Sequence, residues 1–508
     1  MSFKLKNLLS IIKTLTICSL MFLMSGINVF AFDNNINIYS DSDINNRYQI
    51  EVQNTKNTNF INFYSDKYWW NTLSSDNKSK ILNFITNLAS EFEYSIYPKT
   101  TKVFPNISNW LNYQKKLIVI LSPMDNGVQG YIRRDDFKSK TQSQTSNNDN
   151  IIYLNSDNIL NPSISDNILF SFFSHEFMHL ITYQEKNLKY NTEEDTWLEE
   201  LRSEYLPHYL GYNKTQNSYL NFRLQNGISL TDINLTDWIN SNNTYALINL
   251  FSIYLAQKYS SDIIFSTLSN NLSGVASINY FLSSKGYKDR FSDIYQNWII
   301  TNILNNCDLN PNYCYKDIDI QINIPGTSFF LPINNDSVLS ISDLLGNYQS
   351  KYQKIIGGSD NLQINLENTK NNTFQKIPYI LIDRNNQKTL GFFEFKNETI
   401  KQINIPNYSQ TYSNIIIIPM FASNDNINSQ IFKWNINSTK LSSSVIKPVF
   451  HTTTTKNEKI STTAPSNSKP ESNNSTPIII NIIKESTPWY IQITNSLKGF
   501  FTRIWSIF

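Results

Sequence analysis

Between residues 168 and 181 the chain reads ILFSFFSHEFMHLI, an apolar run broken only by two serines, two histidines and one glutamate. A run of this length, opened by Ser165 or Asp166 as a helix cap, makes a helix buried on nearly every face. Burying His175, Glu176 and His179 without partners would cost several kcal/mol. His175 and His179 are four residues apart, so they share one helix face with Cβ atoms about 5–6 Å from each other. Histidine is also scarce: the chain has four, the others being His208 and His451. Two imidazoles so placed grip one divalent ion, and Glu176 leans toward the same point. The His-Glu-x-x-His pattern therefore points to Zn²⁺, with Glu176 as a proton acceptor.

A zinc ion that does chemistry takes three protein ligands and leaves a fourth position for water. Residues 196–205 read TWLEELRSEY and predict a second helix over 197–206 that ends against Pro207. Glu200 lies 21 residues past His179. That is enough chain for a helix end, a loop and a returning helix. Glu204 stands one turn later on the same face, where it can hold a ligating imidazole.

HEFMH followed by DTWLEELRSEY resembles the gluzincin metallopeptidases, whose third ligand is a glutamate, and is most similar to the hyicolysin-type neutral peptidases. In those enzymes the ligand glutamate follows a Trp-Leu pair, which maps onto Glu200. The resemblance extends over residues 150–305, including YALINLF at 245–251 and FSDIYQNW at 291–298. Many gluzincins carry Gly where this chain has Leu201 and Asn where it has Glu199, so Glu199 competes with Glu200 for the third position. The resemblance implies a zincin-like catalytic domain and a peptidase, endopeptidase in mode, acting on protein or peptide. Zinc would acidify water and polarise the scissile carbonyl. Glu176 would pass the proton to the leaving amine. Tyr245 and His208 are the candidates to stabilise the oxyanion. The strand at 117–121 is a candidate to pair with an extended substrate.

The rest of the chain fits an α+β fold followed by an all-β sandwich. Residues 1–31 read as a signal peptide, with Lys4, Lys6 and Lys13 before an apolar stretch and Val-Phe-Ala before the cut. Residues 32–160 form the N-terminal part of the catalytic domain. They carry a helix over 80–92, strands at 116–121 and 151–154, and a polar loop over 138–150. The first structured segment is expected near residue 46. Residues 161–315 form the helical, metal-binding part, with further helices over 245–259 and 291–304. Residues 316–447 alternate with period two and predict the sandwich, with strands at 318–324, 378–383, 390–395, 414–421 and 431–436. A Ser/Thr/Pro-rich linker covers 448–477. Residues 478–508 are an amphipathic segment. Within it, residues 489–508 place Trp, Phe and Ile on one helical face beside Lys498 and Arg503, which suits contact with a membrane surface.

Cleavage after Ala31 removes three lysines and no acid, leaving 40 basic against 41 acidic side chains, net −1. Nothing in that balance points to a nucleic-acid partner, which would want a basic stripe. Cys307 and Cys314 then remain as a pair suited to a disulfide in an exported protein. Secretion, with retention at the cell surface through the C-terminal segment, is the expected localisation. Two rival functions stand beside the peptidase: a non-catalytic surface or matrix-binding protein on a peptidase scaffold, and a zinc hydrolase of other bonds.

Overall fold

A strand covered on both faces carries a continuous apolar run, whereas a half-buried strand alternates. This chain uses both kinds, in different places. The computed structural model describes residues 35–440, except 126, 214–219, 221–232, 317–325, 334, 369–375, 396–397 and 424–428, together with Ile478–Asn481. The signal segment, the strand expected at 318–324, the linker and the helix expected over 489–508 lie outside the described residues. Two compact units result. Residues up to Glu185 with Tyr209–Tyr212 form the first, and Lys186–His208 with residues from Asn213 onward form the second.

The first unit is built on a six-stranded mixed sheet: β1 (Asn35–Tyr39), β2 (Gln49–Asn57), β3 (Ile61–Asp66), β4 (Leu117–Ser122), β5 (Gly130–Tyr131) and β6 (Ile151–Asn155). Their order is β1-β2-β3-β4-β6-β5. Strands β3, β4 and β6 run parallel, and β5 pairs antiparallel to β6 at the edge. Every residue of β3, β4 and β6 is buried, as the LIVIL and IIYL runs require. The first described element is β1, earlier than the sequence alone suggests. β1 alternates only weakly and carries two asparagines, so its apolar signal is diluted. Strand β4 is also central, bonded to β3 on one side and β6 on the other. Its hydrogen-bonding groups are taken, so it cannot add a substrate strand. The edge strands are β1 and β5.

Helix α1 (Ser75–Glu91) opens on Ser74, whose hydroxyl accepts from the Asn77 amide at 3.2 Å, and buries Ile81, Phe84, Ile85 and Leu88. Helix α2 (Asp166–Thr182) carries the His-Glu-x-x-His pattern. Ser165 occupies its N-cap position without a side-chain capping bond. The Asp166 carboxylate lies in the first turn, favoured by the helix dipole, and accepts from the Asn87 amide at 2.8 Å.

Helix α3 (Thr196–Leu210) does not stop at Pro207 but continues through it to Leu210. Proline removes one backbone donor from the ladder, and burial of Tyr205, Leu206 and Leu210 on the same helix offsets that loss. In the second unit, α4 (Asn242–Tyr259), α5 (Gly274–Ser284) and α6 (Phe291–Leu304) follow. Cys307 and Cys314 are bonded, closing a turn just after α6. The Asn312 carbonyl in that turn accepts from the Tyr254 and Thr301 hydroxyls at 2.9 and 3.0 Å.

The remainder of the second unit is a β-sandwich-like region, so the fold is α+β. One five-stranded sheet contains β8 (Thr327–Leu331), β11 (Gln353–Gly357), β13 (Lys376–Asp383), β14 (Lys388–Glu394) and β16 (Tyr412–Ile417). The other contains β9 (Ser337–Gly346), β12 (Asn361–Asn368), β15 (Ile400–Ile405), β18 (Ser429–Thr439) and β19 (Ile478–Asn481), which runs parallel to β9. A small third sheet joins β7 (Ile233–Asn234), β10 (Gln349–Ser350) and β17 (Met420–Phe421). The single strand expected over 414–421 is in fact two, β16 and β17, because Pro419 between them has no N–H for a ladder. Alternation is clear in β18, where Phe432, Trp434 and Ile436 are buried and Lys433 and Asn435 are exposed.

Candidate metal centre

Two helices interrupt their burial at the residues that the sequence singles out. Between residues 169 and 182 of α2, only His175 and His179 are not buried. Between residues 197 and 208 of α3, only Glu200 is not buried. In α2 the neighbours of the two histidines are mostly apolar, whereas α3 buries Glu199, Arg202 and Glu204 along with its apolar residues and leaves Glu200 half-buried. The ligating atoms of His175, His179 and Glu200 lie within 4.8 Å of one another. They are the one His/Cys/Asp/Glu group of this kind among the described residues.

The two imidazoles aim the same nitrogen at one point. Their Nε2 atoms are 3.1 Å apart, and their rings stand 4.9 Å apart at 69°. Zinc–nitrogen bonds of about 2.0–2.1 Å in a tetrahedron separate two nitrogens by about 3.3 Å, so the spacing fits a shared ion. Two nitrogens and a carboxylate oxygen are a zinc donor set rather than a calcium or magnesium one. Glu199, one residue away, is buried and is not in the group. Adjacent helical positions point about 100° apart, which separates the two competitors for the third place.

Glu176 is 8% exposed. Its Cγ lies 3.1 Å from where a Cβ on Gly130 would stand, so edge strand β5 passes directly beside this carboxylate. A side chain at position 130 would also press on the Tyr153 carbonyl at 2.8 Å. Gly130 therefore lets β5 approach, and sequence reading missed it because an isolated glycine in a polar loop carries no signal.

Glu204 is buried and its Oε2 accepts from the Asn249 side chain of α4 at 2.8 Å. His208 is buried, its ring 5.9 Å from that of Tyr205. Tyr245 is half-buried in the first turn of α4, its ring edge-on to Trp238 at 4.9 Å. Neither His208 nor Tyr245 is a member of the ligand group.

The sequence also gave no warning of how α3 is held. Arg202, two residues past Glu200 and so about 200° round the helix, has a fully buried side chain. It donates to Glu194 Oε2 at 2.5 Å, to the Thr267 hydroxyl at 2.8 Å and to the Ile264 carbonyl at 3.2 Å. The buried Lys186 ammonium reaches the same Glu194 oxygen at 3.0 Å and donates to the Thr267 carbonyl at 2.9 Å. The Gly274 amide, at the start of α5, donates to Glu194 Oε1 at 2.8 Å. Burial pushes the Glu194 carboxyl upward, but Arg202 and Lys186 outweigh it and hold its pKa below the ordinary glutamate value. Lys186 is lowered, first by burial and then by the like charge of Arg202. The one available signal was an arginine set among Leu201, Tyr205 and Leu206, which has to find a buried partner.

No family model matches the chain, and no curated protein matches it. Solved structures give faint likenesses. A pre-peptidase C-terminal domain of collagenase from Bacillus anthracis is 11% identical, over 22% of this chain and 98% of that one, with a TM-score of 0.17. A protein of Bacillus endospore appendages, which form disulfide-linked pili, is 7% identical over 22% of this chain and 95% of its own, with a TM-score of 0.14. A 4-O-methyl-alpha-glucuronidase with specificity for decorated arabinogalactans is 10% identical over 65% and 52%, with a TM-score of 0.13. At these scores the likenesses define neither a family nor a fold for this chain.

Proposed function

We propose that this chain is a secreted, zinc-dependent peptidase of the gluzincin type with a zincin-like catalytic domain. The observation that carries the reading is the convergence of His175, His179 and Glu200, with Glu176 on the same helix as the two histidines. Those three side chains would hold the ion. When bound, zinc supplies Lewis acidity, lowering the pKa of water and polarising a carbonyl.

The remaining work falls to the protein. Glu176 accepts a proton from the attacking water and returns it to the amide nitrogen as the carbon–nitrogen bond breaks, so proton and leaving group balance. Edge strand β5 runs beside Glu176, and an extended peptide adds to it in the manner of strand addition. Glu204 and Asn249 support α3 from α4. The Lys186–Glu194–Arg202 cluster fixes the rotation of α3 that carries Glu200. The Cys307–Cys314 bond suits an oxidising compartment and so supports export. No helix among the described residues is long and apolar enough to cross a membrane.

Casein zymography of the purified chain, with and without a zinc chelator, tests the reading. Clearing that the chelator abolishes and added zinc restores is the expected result. Clearing that survives chelation, or none with zinc bound, would contradict it.

A further inference from the structure

The outward face of one sandwich sheet carries a lattice of carboxamides. Strand register opposes Asn404, Gln363 and Asn437 in one row across β15, β12 and β18, and Gln402, Asn365 and Asn435 in the next. All six are exposed or half-exposed, while the alternating residues Leu362, Ile364, Leu366 and Ile436 are buried beneath. Asparagine is disfavoured in strands, yet Asn or Gln stands at each of these six outward positions. The rows contain no charged side chain. They lead at one end into a cavity of about 370 Å³, lined by Asn361, Gln363, Asn404, Asn437, Thr439 and Pro406 among others.

We propose that this face binds a neutral polysaccharide. A carboxamide presents two donors and two acceptors, the same mixture that sugar hydroxyls present. The bonds within the lattice, Asn437 Nδ2 to Gln363 Oε1 at 3.1 Å and Gln402 Nε2 to Asn404 Oδ1 at 3.2 Å, each use one donor and one acceptor of that capacity. Neighbouring strands lie about 4.8 Å apart, close to the length of a pyranose ring, so successive amides in a row meet successive sugars. The cavity is of the size of small-ligand clefts, roughly 300–1,000 Å³. Its Pro406 wall offers an apolar surface for the C–H face of a sugar ring. A protein partner would call for aromatic and arginine anchors, which the two rows lack. Nucleic acid would call for a basic stripe, which they also lack.

Native affinity electrophoresis of the full chain tests this, in gels containing hydroxyethylcellulose, dextran or glucomannan, with a gelatin gel alongside. Retardation by at least one glycan is expected. Gln363→Ala with Asn437→Ala should weaken it about tenfold, and so should the more exposed pair Gln402→Ala with Asn435→Ala, each with an unchanged melting temperature. Glu176→Gln should be retarded like the wild type, which keeps this test independent of the peptidase reading. No retardation in any glycan gel, retardation by gelatin alone, or retardation that both double variants keep would overturn the proposal.

Discussion

Helix α3 contributes to two polar clusters built on opposite plans. Arg202 belongs to the first, where two cations and one carboxylate are fully buried and close on each other through Glu194. Glu200 belongs to the second, where two imidazoles and a carboxylate converge and all three are electron-pair donors. The first already pairs opposite charges within the chain, and its work is to hold a helix. The second is a set of bases gathered at half-buried positions of otherwise buried helices, an arrangement that suits a cation from outside the chain. The sign of the charges in a cluster thus separates scaffold from site.

The sharpest break between the two should come from Glu176→Gln. It preserves shape and the three ligands but removes the proton acceptor, so hydrolysis of casein should fall by about 100- to 10,000-fold with zinc content unchanged. A variant that cleaves at the wild-type rate would remove Glu176 from the mechanism.

Glu194→Gln attacks the other cluster. It leaves Lys186 and Arg202 buried without their shared anion and should cost about 3–5 kcal/mol in denaturant unfolding. Arg202→Met leaves the Lys186–Glu194 pair balanced and should cost less. Because the folded pKa of Glu194 lies below its unfolded value, its stabilisation is complete above the unfolded value of about 4.3. It is lost as pH falls through the folded value. Wild-type stability should therefore decline on acidification below about pH 5, and Glu194→Gln should lack that component. Equal costs for the two variants would mean that the shared anion is not what balances the cluster.

Smaller effects probe the register of α3. Glu200→Ala should weaken zinc binding strongly and Glu199→Ala should leave it unchanged, by titration against a chelator. Glu204→Ala should fall between them, at about 10- to 100-fold. The reverse order of Glu199 and Glu200 would place the wrong glutamate in the group. Least of all, replacing Cys307 and Cys314 together by serine should cost about 2 kcal/mol, read as a lower melting temperature with zinc content intact.

What the sequence made legible follows its local periodicity. α1, α2, α4 and α6 were readable because apolar spacing and caps are encoded within one helix, and β4 and β6 because IIYL and LIVIL are unbroken runs. The central place of β4 was not readable, since sheet order depends on partners far along the chain. Strands β1 and β2 were missed because polar residues dilute their alternation. The His175, Glu176 and His179 half of the site was plain from spacing. The choice between Glu199 and Glu200 rested on resemblance, and helical rotation now separates them. The Lys186–Glu194–Arg202 cluster and the approach of Gly130 to Glu176 were invisible, because both depend on tertiary contacts.

The most direct measurement is the metal content of the purified chain by mass spectrometry, for the wild type and for His175→Ala with His179→Ala. Circular dichroism should confirm that both are folded. The account predicts one zinc per wild-type chain and none in the double variant. A folded double variant that keeps its full zinc, or a wild type that takes up none when zinc is supplied, would contradict it.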